Sequence, residues 1–381
     1  MKFIHTSDWH IGRQFHNVSL LEDQRHVLDQ LIEHIKNECV DAVVIAGDIY
    51  DRSVPPAAAV ELLDDVLNKI CMDLGVPVLI IPGNHDGAER LRFGSRQLRK
   101  AGLHIIGELT QITEPVIISG AGFDVSFYGI PYNDPETVRN HFSVDVFTHD
   151  EAHRFIVEQI NSVKSDETLR VLISHCFIDG GDESDSERPL SIGGADRINY
   201  EPFVDFDYVA LGHLHSPQHK GKSHIRYSGS ILKYSFSEQR QNKGVTLVEM
   251  DSTGIKSTTH LPLMPLRDMR IVEGELNIIL EQGKVDPNNE DYLLVRLTDR
   301  HAILDPMGKL RQVYPNVLHL EKPGMLEMSD HQASRDKLKC GEFEMFRDFF
   351  EQVHGKGMSP EQDEAIKKTI AEIITFEGGV A

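Results

Sequence analysis

The chain has 381 residues, of which 40% are hydrophobic and 26% charged. At ~100 to 200 residues per domain this allows two or three domains and a substantial core, which excludes a small stapled module and a disordered chain. Its 60 Asp and Glu against 39 Lys and Arg give a net charge of −21, which excludes a protein that grips nucleic acid over its whole surface by counterion release. The four cysteines, Cys39, Cys71, Cys176 and Cys340, stand far apart with no C-x-x-C spacing and read as free structural thiols in a reducing compartment.

Met1 to Asp8 has no apolar signal core, and no stretch of ~18 apolar residues follows, so neither secretion nor a membrane span is expected. Short apolar runs then alternate with helical patterns, the mark of a largely parallel, layered α/β domain. Strands are expected at Lys2 to His5, Ala42 to Ala46, Val76 to Ile81, Val171 to Ile173 and Tyr208 to Leu211. Val27, Leu28, Leu31, Ile32 and Ile35 recur at helical spacing, which predicts a helix over Glu22 to Glu38. Another helix is expected after Pro55 and Pro56. Val116 to Ile130 and Ile225 to Met250 read as antiparallel β portions. The run Leu261 to Pro265 breaks the pattern and marks a boundary, beyond which Asp291 to Leu297 and Val317 to Leu320 read as strands of a small second domain. From about Asp336 the tail is helical, with Phe343, Phe346, Phe349, Phe350 and Val353 as an aromatic and apolar set. Ser359-Pro360-Glu361-Gln362 supplies a cap, a first-turn proline and a capping-box glutamine, ahead of Ile366, Ile370, Ile373 and Ile374. These helices either dock on their own domain or bind a partner.

Five strand ends carry residues able to bind metal: Asp8-Trp9-His10, Gly47-Asp48, Gly83-Asn84-His85-Asp86, His175 and Gly212-His213-Leu214-His215. Loops beyond the carboxyl ends of parallel strands lie on one edge of the sheet, so these residues are expected to converge. Taken singly, a motif such as Asp8-x-His10 is more often a satisfied polar pair than a ligand set, and the others read as a turn or ordinary surface. Taken together, Asp8, His10, Asp48, Asn84, His175, His213 and His215 are too many ligands for one ion and suit two, with a carboxylate shared. The absence of thiolates disfavours structural zinc, and mixed imidazole, carboxylate and amide donors suit manganese, iron or catalytic zinc. Two carboxylates against two divalent cations leave such a centre positive, which attracts phosphate despite the overall charge. Local basic runs point the same way. Tyr208 to Ser237 holds Lys220, Lys222, Arg226 and Lys233 with no acid. Arg92, Arg96, Arg99 and Lys100 recur at helical spacing, either as DNA-backbone contacts or as a solvated face.

The pattern Asp8-x-His10, Gly47-Asp48-x-x-Asp51, Gly83-Asn84-His85-Asp86, His175 and Gly212-His213-x-His215 resembles the calcineurin-like metallophosphoesterases. Within them, Thr6 to Gly12, Glu183-Ser184-Asp185-Ser186-Glu187-Arg188-Pro189, Tyr208 to His215 and Tyr227-Ser228-Gly229-Ser230 resemble the nuclease subunits that work with SMC-type coiled-coil ATPases. The resemblance implies a four-layer α/β sandwich, two β-sheets flanked by helices, over residues 1–265. It further implies a small α/β capping, DNA-contacting domain over 266–335 and a helical ATPase-binding segment over 336–381. It implies two divalent metal ions, manganese by expectation. One would be held by Asp8, His10, Asp48 and His215 and the other by Asp48, Asn84, His175 and His213. His85 would serve the transition state and leaving group, with Asp86 orienting its ring. Asp51 stands where some relatives carry a histidine, so no role is carried to it.

The function this implies is a DNA nuclease subunit, an exonuclease on duplexes and an endonuclease on single strands and hairpins, acting in repair and recombination. It would be cytoplasmic and nucleoid-associated, and dimeric within a heterotetramer. The other readings are a phosphatase or cyclic-nucleotide phosphodiesterase on the same metals, and a non-catalytic scaffold.

Overall fold

The computed structural model describes residues 1–120, 122–163, 168–187, 196–299, 303–322, 343, 346, 347, 350 and 357–377. Cys340, Phe349, Val353, Arg188 and Pro189, and the start of the tail at Asp336, lie outside the described residues, as do the side chains of Ile373 and Ile374. The chain forms two compact units, Met1–Asp268 and Met269–Ala381.

In the first unit, Lys2–Thr6, Ala42–Ala46, Val78–Ile81 and Leu103–Ile105 run parallel, and the hairpin Gly244–Asp251 and Gly254–Pro262 joins antiparallel beside Lys2–Thr6. A second six-stranded sheet has Lys222–Tyr227, Tyr208–Gly212, Leu169–His175 and Asp124–Ile130 in parallel, with antiparallel Gln218–Lys220 and Val116–Ser119 at its edges. Side chains alternate across a strand, so each sheet has two faces to cover. Phe3, Ala42, Val44, Ala46, Leu79 and Ile81 of the first sheet share a buried core with Phe127, Val171, Ile173, Tyr208 and Ala210 of the second. The other face of the second sheet packs Tyr128, Leu172 and Val209 against Ile156, Val157 and Ile160 of the helix His149–Ser162. That helix begins with a full capping box between Thr148 and Glu151. On the first sheet Ile4, Val43, Ile45 and Ile80 are buried as well, so that face is also covered. The helix Leu21–Glu38 buries Val27, Leu28, Leu31 and Ile35, four of the five residues its periodicity singles out, leaves Ile32 half-buried, and ends on Cys39 in the left-handed conformation. The architecture is the expected sandwich of two sheets between helices.

One polar link crosses the inter-sheet core. His5, fully buried, places Nδ1 2.9 Å from the Tyr208 hydroxyl and Nε2 3.1 Å from the Leu211 carbonyl. It therefore ties the first strand of one sheet to the central strand of the other at the end where both lead into the metal-binding motifs.

The second unit has a three-stranded parallel sheet, Met269–Gly274, Tyr292–Leu297 and Val317–Glu321, with helices Leu276–Gly283 and Pro306–Arg311 in the crossovers. Leu276, Ile279, Leu293, Val295, Leu310, Tyr314 and Val317 form its core. Two strands lie where the apolar runs predict them. Met269–Gly274 does not stand out in the sequence, because Arg270 and Glu273 interrupt it; Arg270 turns out to be paired with Asp286 at 2.9 Å and Asp291 at 2.6 Å. Ser359 and Gln362 cap the helix Pro360–Glu377 reciprocally, as the motif predicts.

Burial holds His5 down to about 3 and His153 down to about 4. Both pKa values lie below the unfolded value, so the unfolded chain takes up these protons first and stability is lost as pH falls through the unfolded value. Each histidine should cost about 2 kcal/mol of stability between pH 7 and pH 5. Denaturant unfolding of metal-free protein at the two pH values measures this, and His153→Gln should remove about 2 kcal/mol of the difference. An unaltered pH dependence in that variant would show that His153 is not held neutral by the fold.

Candidate metal centre

The parallel strands of both sheets aim their carboxyl ends at one edge, and the five motifs meet there. The Asp8 amide donates to the Gly47 carbonyl at 3.1 Å and the His10 amide to the Asp48 carbonyl at 3.0 Å, which locks the first two loops together. The Asp8 carboxylate accepts the His213 amide through both oxygens, at 3.1 and 3.2 Å, and the Ser7 hydroxyl at 2.6 Å. Asp48 Oδ1 accepts the His85 amide at 2.9 Å, while its Oδ2 lies 3.5 Å from His175 Nε2 and 3.7 Å from His10 Nε2. Asp48 thus stands between two imidazole groups. Asn84 Oδ1 is 3.0 Å from His175 Nε2, and His10 Nε2 faces His215 Nε2 at 3.1 Å. The His213 and His175 rings lie with centroids 5.4 Å apart.

Three sets have ligand atoms within 4.8 Å of one another: Asp8 with His10 and His215, Asp8 with Asp48 and His175, and His10 with Asp51 and His85. The first two draw only on predicted ligands, and Asp8 is common to both. Asn84 and His213 adjoin these groups through the contacts above. Arg92, Arg96, Arg99 and Lys100 do not share one helical face. Ala88–Leu91 and Ser95–Leu98 are separate single turns, broken at Gly94 with φ 74°, and a 3-10 turn, Arg99–Ala101, follows. Arg92 pairs with Glu108, and Arg96, Arg99 and Lys100 are exposed.

The donor set fits divalent cations on two observations. Asp8, His10, Asp48 and His213 are non-glycine residues with φ of 53°, 46°, 51° and 106°, a conformation that is uncommon outside glycine and collects at functional sites. All four are buried, and burial disfavours charge on each. It raises the Asp8 carboxyl and, more strongly, that of Asp48, where Asp86 and Asp8 add repulsion. It depresses the His10 imidazole, with His215 adding to the effect, and that of His213, with His175 adding. Neutral imidazoles and a pair of carboxylates that, among the described residues, have no lysine or arginine paired with them form a site that cations stabilise.

Two of the rings are aimed by backbone carbonyls. His175 Nδ1 is 2.9 Å from the Ala46 carbonyl, to which it donates, and this turns Nε2 toward Asp48 and Asn84. His85 Nδ1 is likewise 2.9 Å from the Asp51 carbonyl. This corrects the expectation for Asp86, whose carboxylate does not orient the His85 ring. It accepts the amides of Ile49, Tyr50 and Gly83 at 2.9 to 3.0 Å, which splints the second motif to the third, and burial pushes it up to about 6.

Residues 1–217 match the family described as calcineurin-like phosphoesterase, and residues 265–354 match the type 5 capsule protein repressor C-terminal domain. The SbcD subunit of the SbcCD nuclease of Staphylococcus epidermidis is 36% identical over 379 residues, which is 99% of this chain and 100% of that protein. The chain belongs to the calcineurin-like phosphoesterases, in their SbcD branch. Solved structures similar to this member of the family include a dimetal phosphatase from Danio rerio, at 13% identity over 69% of this chain and 99% of that one, with a TM-score of 0.38. A hypothetical protein from Thermus thermophilus, at 13% identity over 69% and 98%, has a TM-score of 0.37. The assignment rests on the sequence matches.

Sequence reasoning missed several residues of this phosphoesterase edge. Asp51 joins the His10 and His85 group, and the spacing Gly47-Asp48-x-x-Asp51 was its only signal. Ser186, Glu187, Glu238 and Lys243 surround His215, and only the unusual run Glu183 to Glu187 hinted at them.

At Gly212 the sheets approach closely: a Cβ there would overlap the Ala46 carbonyl and lie 2.8 Å from His175 Nδ1. Gly212→Ala should destabilise the protein by about 3 kcal/mol by forcing the two strand ends apart. Thermal unfolding would register this as a clear loss, and an unchanged melting temperature would mean that the approach is not tight.

Proposed function

We propose that the chain is the metal-dependent nuclease subunit of a complex with SbcC, an SMC-type coiled-coil ATPase, and that it hydrolyses DNA phosphodiester bonds. In that reading it degrades duplex ends with ATP and its partner, and cuts single strands and hairpins, in DNA repair and recombination. It works in the cytoplasm, at the nucleoid, as a homodimer within a heterotetramer. The observation that carries the reading is the buried cluster of Asp8, His10, Asp48, His175 and His215 in a chain similar over its full length to the SbcD subunit of a nuclease.

One divalent ion would be held by Asp8, His10, Asp48 and His215 and a second by Asp48, Asn84, His175 and His213, with Asp48 shared; manganese suits this mixture of oxygen and imidazole donors. When bound, such a pair supplies Lewis acidity at a phosphoryl group. The residues do the rest. With Nδ1–H engaged by the Asp51 carbonyl, His85 presents Nε2, 4.0 Å from Asp48 Oδ2, and in its imidazolium form would deliver the Nε2 proton to the leaving oxygen, ending as the neutral Nδ1–H ring. Asp86 keeps the loop of His85 fixed to the loop of Asp48. Exposed Arg96, Arg99 and Lys100, with Arg92 beside them, would meet DNA phosphates from separate turns. The division 1–265, 266–335 and 336–381 into nuclease, capping and SbcC-binding segments belongs to the same proposal. So does the view that the net charge of −21 calls for a partner to supply part of the DNA grip.

Asp8→Ala and His213→Ala should each abolish cleavage and lower manganese stoichiometry, while His85→Ala should keep both ions and lose ~100-fold or more in turnover. Calorimetry and single-turnover cleavage of hairpin DNA separate the two classes. Full activity in either ligand variant at matched metal concentration would overturn the dinuclear reading.

In the tail, Phe346 is 38% exposed, and Ile366 and Ile370 are half-buried on the helix Pro360–Glu377, an apolar set suited to a helix or coiled-coil surface. A chain ending at Arg335 should bind manganese as before but fail to co-purify with SbcC. Retention of SbcC at undiminished affinity would place the interface elsewhere.

A further inference from the structure

His215 is held at three points by a group of buried residues that no assigned role explains. Its backbone amide donates to Glu187 Oε1 at 2.8 Å. Its carbonyl accepts the Lys243 ammonium at 2.8 Å and the Ser230 amide at 3.2 Å. Its ring Nδ1 lies 2.5 Å from the Ser186 hydroxyl, which in turn contacts Glu238 Oε1. Glu238 and Lys243, both buried, pair at 2.6 Å. Ser184 braces the strap by bonding to Glu187 Oε2 at 2.7 Å and to Glu238 Oε1 at 3.0 Å. Arg13 holds the Ser186 carbonyl at 3.2 Å.

The proton positions in this chain of contacts follow from donor inventory. Glu238, ion-paired with Lys243, is ionised and can only accept. The Ser186 hydroxyl hydrogen therefore goes to Glu238, and its oxygen accepts from His215 Nδ1–H. In the neutral imidazole the lone pair is then on His215 Nε2, which faces His10 Nε2 at 3.1 Å, with Asp8 in the same cluster. A single hydroxyl thus connects a buried ion pair to the proton on a ring at the metal edge. An outer partner of this kind fixes the tautomer and direction of a ligating imidazole, and its loss typically costs ~10 to 100-fold in metal affinity.

We infer that Ser186, backed by Glu238 and Lys243, is a positioning residue that holds His215 in the Nδ1–H tautomer with Nε2 open to a divalent cation. The inference rests on the metal-centre reading above, and its test distinguishes the failure of one from the failure of the other. Manganese binding to the full chain is measured by calorimetry, and the tautomer of His215 in metal-free protein is read from the ring nitrogens of 15N-histidine-labelled samples, assigned with His215→Gln. If the wild-type chain binds no manganese, the metal reading fails before the relay is tested, yet the nitrogen spectrum still decides the tautomer. With two ions bound by the wild type, Ser186→Ala should weaken one site ~10 to 100-fold, leave the other within ~2-fold, and shift His215 away from the Nδ1–H form. Ser186→Thr, which restores the hydroxyl, should return both affinity and tautomer. Wild-type affinity and an unchanged nitrogen spectrum in Ser186→Ala would overturn the inference. If Ser186→Ala fails to fold, Ser186→Thr decides: wild-type binding and tautomer support the relay, and loss of either overturns it.

Discussion

Asp8 and Asp48 are both almost fully buried, at 0% and 2% exposure, and share one cluster with His175. Burying two carboxylates side by side costs several kcal/mol for each unless opposite charge is brought to them. Among the described residues neither carboxylate is ion-paired with a lysine or arginine, buried Lys243 pairing with Glu238 instead, and the neighbouring histidines His10 and His213 are disfavoured as cations by the same burial. The fold therefore buries two carboxyl groups without a cationic side chain paired to them, and the backbone around them is arranged to keep the group together. Amides of His213 and His85 point at the two carboxylates, and Asp86 fastens the loops of Asp48 and His85 to one another. Four residues with left-handed backbone conformation mark the strain of turning so many side chains toward one point.

The two sheets make this arrangement possible. Each contributes parallel strands ending at the same edge, and the shared apolar core keeps those ends close enough for His175 to bond the Ala46 carbonyl across the junction. His5 repeats that link one layer deeper, between Tyr208 and Leu211. The absence of a side chain at Gly212 serves the same approach. Packing, backbone hydrogen bonds and site electrostatics are thus one problem: a ligand set drawn from both sheets tolerates little movement between them.

Much of this was legible in the sequence, for physical reasons that differ by element. Buried parallel strands are short continuous apolar runs, so Ala42–Ala46, Val78–Ile81 and Tyr208–Gly212 stand out, and metal-binding residue types after five such runs in one chain point to one site where any single run would not. The helix Leu21–Glu38 announces itself by its period, and the cap at Ser359 by its residue types. What was hidden depends on contacts distant in sequence. Ser186 and Glu238 lie 52 positions apart, and nothing local in either neighbourhood says that they meet behind His215. The role expected of Asp86 was misplaced because adjacency to His85 suggested a ring partner, whereas a carboxylate in a tight turn was better used by three backbone amides. The Arg92 to Lys100 run shows the limit of periodicity: Gly94 interrupts a spacing that otherwise suits one helix.

The central proposal is that one carboxylate, Asp48, would be shared between two cations, each held by one half of the proposed ligand set. The most direct measurement is the electron paramagnetic resonance spectrum of the full chain loaded with two equivalents of Mn2+. The account predicts a signal from two exchange-coupled ions, which reverts to that of an isolated ion when only one equivalent is bound or when Asp48 is replaced by Ala. Uncoupled signals at full loading, or coupling that survives Asp48→Ala, would contradict it.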